Sequence, residues 1–448
     1  MRTLNYRLLV VCWLMALFAL ACERKGSTEH NLAAARAENA IEGKILCGYQ
    51  GWFNAEGDGS GLGWKHYEKE GKFEPGSCSI DFWPDLSEFD DDELYPTAFK
   101  HADGSPAYMF SSAHPKTVNR HFEWMQDYGI DGVFVQRFVS STKNDKRRAN
   151  MHKVFDNCFQ SSVRHERLLS VMYDLSGSGR EVVENTKRDW RHLVNKYGLN
   201  DPTKKNVLTK NGRSIVAIWG MGFKDRAYTL EDVADLIDFF KNDPVYGNCA
   251  VLLGVPTGWR TLDRDCISDP KIHDLIKKAD IVHPWTPGRY DSAKAADDHR
   301  EKYTEQDKLW CDQHGLTYMP VVFPGFSWHN LQKGDEKLNA IPRREGRFLW
   351  RQFYNAVRSD VETVYVAMFD EIDEGTSIFK CSNNPPVGSS PFASYEGLPS
   401  DYYLWLTGEA GRMLRGEVPL SDGVPEYPNT IAENKFLKDS KRLKTNAN

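Results

Sequence analysis

Four carboxylic side chains lie close together in the sequence: Asp370, Glu371, Asp373 and Glu374. They directly follow residues 364–369, an apolar run that is typical of a buried strand. Carboxylates at this spacing repel one another, so their grouping needs a compensating reason. The chemistry open to such a group is cation binding or proton transfer. We call residues 370–376 the acidic loop.

Three interpretations of the acidic loop are open. It is a solvated turn that precedes a helix, where negative charge is favourable. Alternatively, it binds a hard cation such as Ca²⁺ or Mg²⁺, although it lacks the regular ligand alternation of calcium loops. In the third interpretation Glu371 and Glu374 are catalytic, since residues at i and i+3 of a helical turn are neighbours. Glycosidic cleavage commonly uses one ionised and one protonated carboxyl group, and mutual repulsion in a partly dry site separates their pKa values.

The elements that must position these residues repeat one pattern, a short apolar strand followed by an amphipathic helix. The candidate strands are residues 44–53, 131–139, 168–175, 214–220, 250–256, 280–285, 317–323 and 363–369. The helical patterns between them are residues 121–129, 150–163, 181–197, 230–241, 271–278, 293–314 and 344–357.

This alternation predicts an α/β fold, a single (β/α)8 TIM barrel with elaborated βα loops. The alternative is a doubly wound open sheet, which would need a switch-point motif that the sequence does not contain.

Polar and aromatic residues concentrate at the predicted carboxyl ends of the strands, where the active sites of such barrels lie. Aromatic rings stack on sugar rings and polar groups bind hydroxyls, so this rim predicts a glycan or oligosaccharide as the substrate. The candidate substrate-binding residues are Tyr49, Gln50, Trp52, Gln136, Arg137, Tyr173, Asp174, Trp219, Trp259, Arg260, Trp285, Arg289, Tyr290, Trp328, His329, Asp370 and Asp373.

Three of these candidates have a structural alternative. Arg137 and Arg289 either bind an anionic sugar or orient an acidic side chain, or they form structural ion pairs. His329 either lines the pocket or is a buried, hydrogen-bonded histidine.

Charge and motifs exclude several classes of function. With 57 Lys and Arg against 63 Asp and Glu, the net charge is −6, which argues against a nucleic-acid partner. The chain has no CxxC pair, HExxH motif, Walker motif or GxSxG elbow, so we predict no metal and no cofactor. We expect a monomer.

The N-terminal residues have the pattern of an export signal. Arg2 and Arg7 precede the apolar run at residues 8–21. Residues 19–22 resemble a bacterial lipobox that ends at Cys22. The alternative is simple signal cleavage after residue 21. We expect a signal peptide at 1–21, a lipid anchor to the membrane through Cys22, a tether at 22–42, a domain at 43–429 and a polar tail at 430–448. This predicts a location in the bacterial cell envelope.

Residues 370–376, Asp-Glu-Ile-Asp-Glu-Gly-Thr, resemble the Asn-Glu-Trp-His-Glu-Gly-Thr segment of glycoside hydrolase family 99, the endo-α-mannosidases. From about residue 44 to residue 419, the chain resembles bacterial proteins related to glycoside hydrolase families 71 and 99. The blocks that carry this wider resemblance are residues 48–53, 135–138, 173–177, 323–329 and 400–406.

The resemblance implies a barrel that hydrolyses α-linked glycans with retention. Glu371 would assist the substrate's 2-hydroxyl in attacking the anomeric carbon, and Glu374 would be the general acid and then the general base. The intermediate would be a 1,2-anhydro sugar. Asp370, Ile372 and Asp373 depart from the family's Asn, Trp and His, so we expect the reaction class to transfer and the mannose specificity to differ. The alternative hypothesis is a non-catalytic, glycan-binding surface lipoprotein.

Overall fold

The computed structural model describes residues 38–428. The predicted signal peptide, Cys22, most of the tether and the tail from residue 430 lie outside the described residues. The last part of the predicted tether belongs to the folded domain, since Asn39 and Ile41 are buried. Asn39 also donates hydrogen bonds to main-chain oxygens of residues 202–207. Within residues 38–428, no helix has the length and apolarity needed to cross a membrane.

The strands and helices alternate along the chain. The strands are β1 (Ile45–Tyr49), β2 (Tyr95–Lys100), β3 (Pro106–Met109), β4 (Gly132–Phe138), β5 (Leu168–Asp174), β6 (Thr209–Lys210), β7 (Arg213–Trp219), β8 (Ala250–Val255), β9 (Ile281–Pro284), β10 (Thr317–Tyr318), β11 (Val321–Val322) and β12 (Val364–Val366). The α-helices are α1 (Pro115–Asp127), α2 (Asp145–Arg164), α3 (Val182–Tyr197), α4 (Leu230–Asn242), α5 (Lys271–Ile276), α6 (Ala293–His299), α7 (Glu305–Gln313), α8 (Arg347–Arg358) and α9 (Tyr402–Leu414).

The parallel strands form a closed barrel in the order β1, β4, β5, β7, β8, β9, β10/β11, β12 and back to β1. The seventh strand position is interrupted at Met319 and Pro320. Its first half, β10, pairs with β9, and its second half, β11, pairs with β12. Because each half forms main-chain hydrogen bonds with a different neighbouring strand, the barrel closes without a continuous strand at this position. The predicted (β/α)8 barrel is therefore confirmed.

The loop between β1 and α1 is the largest elaboration of the barrel, and it contains the antiparallel hairpin of β2 and β3. A second elaboration follows β12 and ends in helix α9, which packs against β1 and α8. The sequence patterns predicted neither helix α9 nor the hairpin of β2 and β3.

Side chains on the barrel strands alternate between two cores, as the two-residue period of a strand requires. Leu46, Phe134 and Met172 pack inside the barrel. Their neighbours Val135 and Tyr173 pack in the layer between the strands and the helices. A strand-end residue therefore faces the barrel mouth only if it has the parity of the inner set.

Arg137 has the outer parity and forms a buried ion pair. Its Nε donates to Oδ2 of Asp189 at 2.6 Å and its guanidinium NH2 donates to Oδ1 at 2.5 Å. The Tyr173 hydroxyl donates to the same carboxylate at 2.9 Å. Of the two sequence-based alternatives for Arg137, the structure thus shows the ion pair, which connects β4 and β5 to α3.

We predict that Arg137→Met lowers the free energy of unfolding by about 3–5 kcal/mol, because it leaves the Asp189 carboxylate buried without its cation. Denaturant unfolding at pH 7 measures the change. The control is Arg347→Met, which removes an exposed ion pair with Glu345 and should cost about 1 kcal/mol or less. Equal losses in the two variants would contradict a structural role for the Arg137 pair.

Candidate active site

The acidic loop lies at the carboxyl end of β12, on the rim where barrel active sites form. Residues 372–375 form a turn, and the carbonyl of Glu371 accepts hydrogen bonds from the amides of Thr376 and Ser377 at 3.1 and 3.0 Å. No regular helix begins here, so the predicted acidic cap of a following helix is absent from this part of the described chain. The loop instead folds back on the barrel.

Asp370 connects the acidic loop to the loop after β1. Its Oδ1 accepts the amide of Gln50 at 2.7 Å and its Oδ2 accepts the amide of Gly51 at 2.9 Å. Gly51 has φ +58°, and a Cβ there would lie 2.7 Å from Val154, so only glycine fits. Both oxygens of Asp370 are thus occupied by main chain, and the side chain is fully buried. We therefore remove Asp370 from the proposed substrate contacts and treat it as an anchor.

Glu371 is held by two neutral donors. Nε2 of Gln50 donates to its Oε1 at 2.5 Å, and the Thr376 hydroxyl donates to its Oε2 at 2.6 Å. The side chain is 4% exposed, so the carboxyl group is almost dry. These contacts fix the orientation of the carboxyl group.

Burial and like charge raise the pKa values of the acidic loop. For Glu371, burial and the charges of Glu374 and Asp373 raise the pKa well above its usual value. For Glu374, burial and the charge of Asp373 raise the pKa to about 7. Gln50 and Thr376 act in the opposite direction on Glu371, because their hydrogen bonds favour the carboxylate. Burial and like charge therefore favour the protonated forms of both glutamates near neutral pH.

Asp373 faces the loop after β1. Nδ1 of His66 lies 3.5 Å from its Oδ2, while its Oδ1 is buried without a hydrogen-bond partner in residues 38–428. Burial raises the pKa of Asp373 to about 7 and lowers the pKa of His66 to about 3. Between these two pH values both side chains are mainly uncharged. The imidazole stacks on Trp52 with ring centroids 4.0 Å apart. His66 thus connects the acidic loop to an aromatic side chain at the cavity described below.

Two buried charged residues hold the main chain in and next to the acidic loop, and no sequence pattern indicated either. Asp81 accepts hydrogen bonds from the Ser327 hydroxyl at 2.5 Å and from the amide of Asn330 at 2.8 Å. Arg343 donates to the carbonyls of Gly375 and Ser377 at 2.9 and 2.7 Å. The Arg343 guanidinium lies against three aromatic rings, at 4.5–4.7 Å from the centroids of Phe82, Tyr403 and Tyr395.

A cavity of about 280 Å³ opens beside the acidic loop. Gln50, Trp52 and Gln136 line it, and Phe138 and Val154 form much of its apolar wall. Glu371 and Glu374 are not among its lining residues; the cavity reaches Glu371 through the Gln50 side chain, which touches both. Gln136 has the inner parity and donates to the Tyr365 hydroxyl at 2.9 Å.

The remaining candidates with the inner parity lie across the barrel mouth. Trp219 and Trp285 meet edge to face with centroids 5.3 Å apart, and both are partly exposed. Nε1 of Trp219 has no hydrogen-bond partner in the described residues. Burial raises the pKa of Asp174 to about 6, and its Oδ1 accepts the amide of Ser176 at 2.7 Å. These three side chains remain proposed substrate contacts.

Several candidates are occupied by protein contacts away from the barrel mouth. Tyr49 is fully buried and its hydroxyl bonds Nδ1 of His121 at 2.9 Å. Trp259 and Arg260 both bond the carboxylate of Asp307, at 3.1 and 2.7 Å. Together with Arg137 and Tyr173, these residues serve the outer layer. We no longer propose them as substrate contacts.

The candidates in the loops after β9 and β11 have mixed environments. Arg289 forms an ion pair with Asp265 at 2.8 Å, the structural alternative of the sequence analysis. The Tyr290 hydroxyl donates to Gln352 at 3.0 Å in a small aromatic cluster. His329 bonds Asp81 through its amide and the Glu336 carbonyl through Nδ1, while Trp328 is partly exposed. Of these four, Trp328 alone is retained as a proposed contact.

In residues 38–428, no group of three or more His, Cys, Asp and Glu side chains is arranged to hold a metal ion. The cysteines at 47, 78, 158, 249, 266, 311 and 381 are all buried free thiols.

No protein-family model matches the chain. Among solved structures, it is similar to the GH99 endo-alpha-mannosidase from Bacteroides thetaiotaomicron, with a TM-score of 0.60 and 14% sequence identity over 84% of this chain and 98% of that one. It is also similar to a glycoside hydrolase-like protein, with a TM-score of 0.51 and 12% identity over 82% of this chain and 94% of that chain. At these identities the likeness establishes the shared barrel fold.

Proposed function

We propose that this protein is a glycoside hydrolase that cleaves α-linked glycans with retention of configuration. The observation that carries the proposal is the pair of Glu371, which is buried, and Glu374, which is partly buried, at the carboxyl rim of a (β/α)8 barrel and without a salt bridge to Lys or Arg in the described residues. The structural likeness to an endo-alpha-mannosidase of family GH99 supports it. The resemblance of residues 370–376 to that family's segment supports the same assignment.

In the first step, the substrate's 2-hydroxyl oxygen attacks the anomeric carbon while the bond to the leaving oxygen breaks. Glu371 takes the proton of the 2-hydroxyl, and Glu374 gives a proton to the leaving oxygen. The product is a 1,2-anhydro sugar. Water then opens it at the anomeric carbon, giving a proton to Glu374, while Glu371 returns a proton to the 2-oxygen. Two inversions give net retention.

This chemistry selects a class of substrates. The 2-hydroxyl must lie trans to the leaving group, as in α-mannosides, because the attack occurs from the face opposite the broken bond. The hydrogen bonds from Gln50 and Thr376 support the role of Glu371, since they hold its carboxylate in one orientation and favour its ionised form.

We also propose that the protein is exported to the bacterial cell envelope and anchored through a lipid on Cys22. The support is the basic start, the apolar run at 8–21 and the lipobox-like residues 19–22. Mass spectrometry of the membrane fraction, with a Cys22→Ser variant as the comparison, tests the anchor.

A glycan-binding protein without turnover is the second candidate. It is favoured by one observation, that the described cavity is lined by Gln50, Trp52 and Gln136 and not by the two glutamates.

We expect Glu371→Gln and Glu374→Gln each to lower kcat by about 10²–10⁴-fold on α-linked oligosaccharides, because each removes a proton-transfer group. Binding of the same oligosaccharides should be retained. Glu56→Gln is the matched control, since Glu56 is exposed on the loop after β1, and it should leave kcat unchanged. Saturable binding by the unmodified protein without turnover would support the second candidate instead.

The dependence of kcat/KM on pH should be bell-shaped, with its optimum at about pH 7 or above. Below both pKa values of the pair no carboxylate is present to act as base, and above both no proton is left for the acid. An optimum near 4.3, the pKa of a free glutamate, would contradict the raised values. Thr376→Val should raise the pKa of Glu371 and move the limb that Glu371 sets to higher pH, because it removes a hydrogen bond that favours the ionised carboxylate.

Burial of Glu374 and the charge of Asp373 should also lower stability at neutral and alkaline pH, because both oppose the ionisation of Glu374 in the folded protein. The pKa of Glu374 is about 7 in the folded protein and about 4.3 in the unfolded chain, so stability falls as the pH rises from about 4.3 to about 7 and changes little above that. We predict that Glu374→Gln raises the free energy of unfolding at pH 8 by about 1–3 kcal/mol and changes it little at pH 4. Denaturant unfolding at both pH values, with Glu56→Gln alongside, measures this. A gain that is equal at both pH values would contradict the electrostatic cause.

A further inference from the structure

The cavity beside the acidic loop has a charge of the opposite sign. Its charged lining residues are Lys65 and Arg147, and no carboxylate lines it. Lys65 lies on the loop after β1 and is partly exposed, while Arg147 lies at the start of α2 and is exposed. Both cations depress the pKa of His66, which places their charges close to the wall between the cavity and the acidic loop.

Neither cation is neutralised by the protein. In residues 38–428, no salt bridge includes Lys65 or Arg147, whereas Arg137, Arg260 and Arg289 are all paired. Asp58, on the same loop as Lys65, is held by Asn54 at 2.9 Å and Ser111 at 2.7 Å. Two unpaired cations at one cavity create a positive potential that attracts an anionic ligand.

Buried polar atoms that lack hydrogen-bond partners also indicate a ligand. Nε1 of Trp52 and Oε1 of Gln50 are buried and have no hydrogen-bond partner within the described chain. Both residues line the cavity, so the two unpartnered atoms lie within its wall. Such unpartnered groups are costly unless a ligand or water satisfies them.

The size of the cavity limits its occupant. A volume of about 280 Å³ lies at the lower end of the range for small-ligand pockets, which suits a single sugar ring. Phe138, Val154 and Met151 are lining residues whose apolar side chains can contact the face of such a ring.

We propose that this cavity is a subsite for a sugar that carries an anionic substituent, a carboxylate or a sulfate. The inference rests on the proposed hydrolase function, because it places the anionic sugar next to the glycosidic bond that Glu371 and Glu374 would cleave. The sequence indicated Arg137 and Arg289 as candidates to bind an anionic sugar. The structure assigns this role to Lys65 and Arg147, because both are unpaired and line a cavity.

The test is a binding titration followed by ligand-observed NMR at low salt. The probes are the methyl α-glycosides of glucose, galactose and mannose, each compared with its uronate and its 6-sulfate. We expect at least one anionic form to bind about tenfold more tightly than its neutral parent. The uronate and sulfate arms distinguish the two anions. Added salt should reduce the preference.

Variants at the two cations test the assignment. Lys65→Gln combined with Arg147→Gln should reduce the preference for the anionic form to about twofold or less, while binding of the neutral parent is retained. Lys146→Gln is the matched control, because Lys146 is exposed, adjacent to Arg147 and absent from the cavity lining. It should keep the preference. Circular dichroism and unfolding curves of each variant verify the fold.

The possible results separate this proposal from the hydrolase proposal. No binding of any anionic probe at millimolar concentration, equal binding of anionic and neutral probes, or a preference that survives the double substitution would each overturn the anionic subsite. An anion preference that depends on Lys65 and Arg147, in a protein that cleaves no glycan, would overturn the hydrolase assignment and leave the subsite in place.

Discussion

Repulsion among the buried carboxyl groups of the acidic loop is the constraint on which the rim of this barrel depends. In residues 38–428 no Lys or Arg forms a salt bridge with Asp370, Glu371, Asp373 or Glu374, and His66 is the one basic side chain in ion-pair contact with them. The protein stabilises them with neutral dipoles instead: main-chain amides on Asp370, and an amide and a hydroxyl on Glu371. Dipoles orient a carboxyl group without cancelling its charge, so the pKa values remain high. A cation in the same place would lower them and leave no proton to transfer.

Arg343 shows how the protein keeps a cation near the acidic loop without neutralising it. Its guanidinium donates to the carbonyls of Gly375 and Ser377 and is otherwise enclosed by Phe82, Tyr395 and Tyr403. The aromatic faces supply negative potential that offsets part of the cost of burying the charge. The arginine therefore fixes the main chain that follows Glu374 while its charge is directed to carbonyls and rings. A carboxylate partner for Arg343 would have satisfied the arginine more simply, but it would have added another acid to an already repulsive cluster.

The barrel was predictable from the sequence because strand and helix periods alternate along the whole chain. The interruption between β10 and β11 also has a visible signal, since Pro320 lies inside the predicted strand and cannot donate to a ladder. The rim was predicted less well. Adjacent residues such as Gln136 and Arg137 were assigned the same role, although the two-residue period sends them to opposite faces. Strand parity would have separated them. The partners of the excluded residues could not be found in this way: Asp189 and Asp307 are distant in sequence, and so are Asp81 and Arg343 from the acidic loop. Their contacts exist only once the barrel brings separate loops together.

The distribution of charge across the rim would orient a bound anionic glycan. Carboxyl groups lie on one side of Gln50 and His66, and the unpaired cations Lys65 and Arg147 lie on the other. Gln50 is suited to this boundary because its side-chain nitrogen donates to Glu371, while its side-chain oxygen has no partner within the described residues. A neutral glycan would experience little of this field. A glycan with one anionic sugar would be repelled from the acidic loop and attracted to the cavity. Binding with the anionic sugar in the cavity would therefore be favoured over other positions of the glycan. Charge separation over a few side chains can thus determine which glycosidic bond reaches the glutamates, without a dedicated contact at that bond.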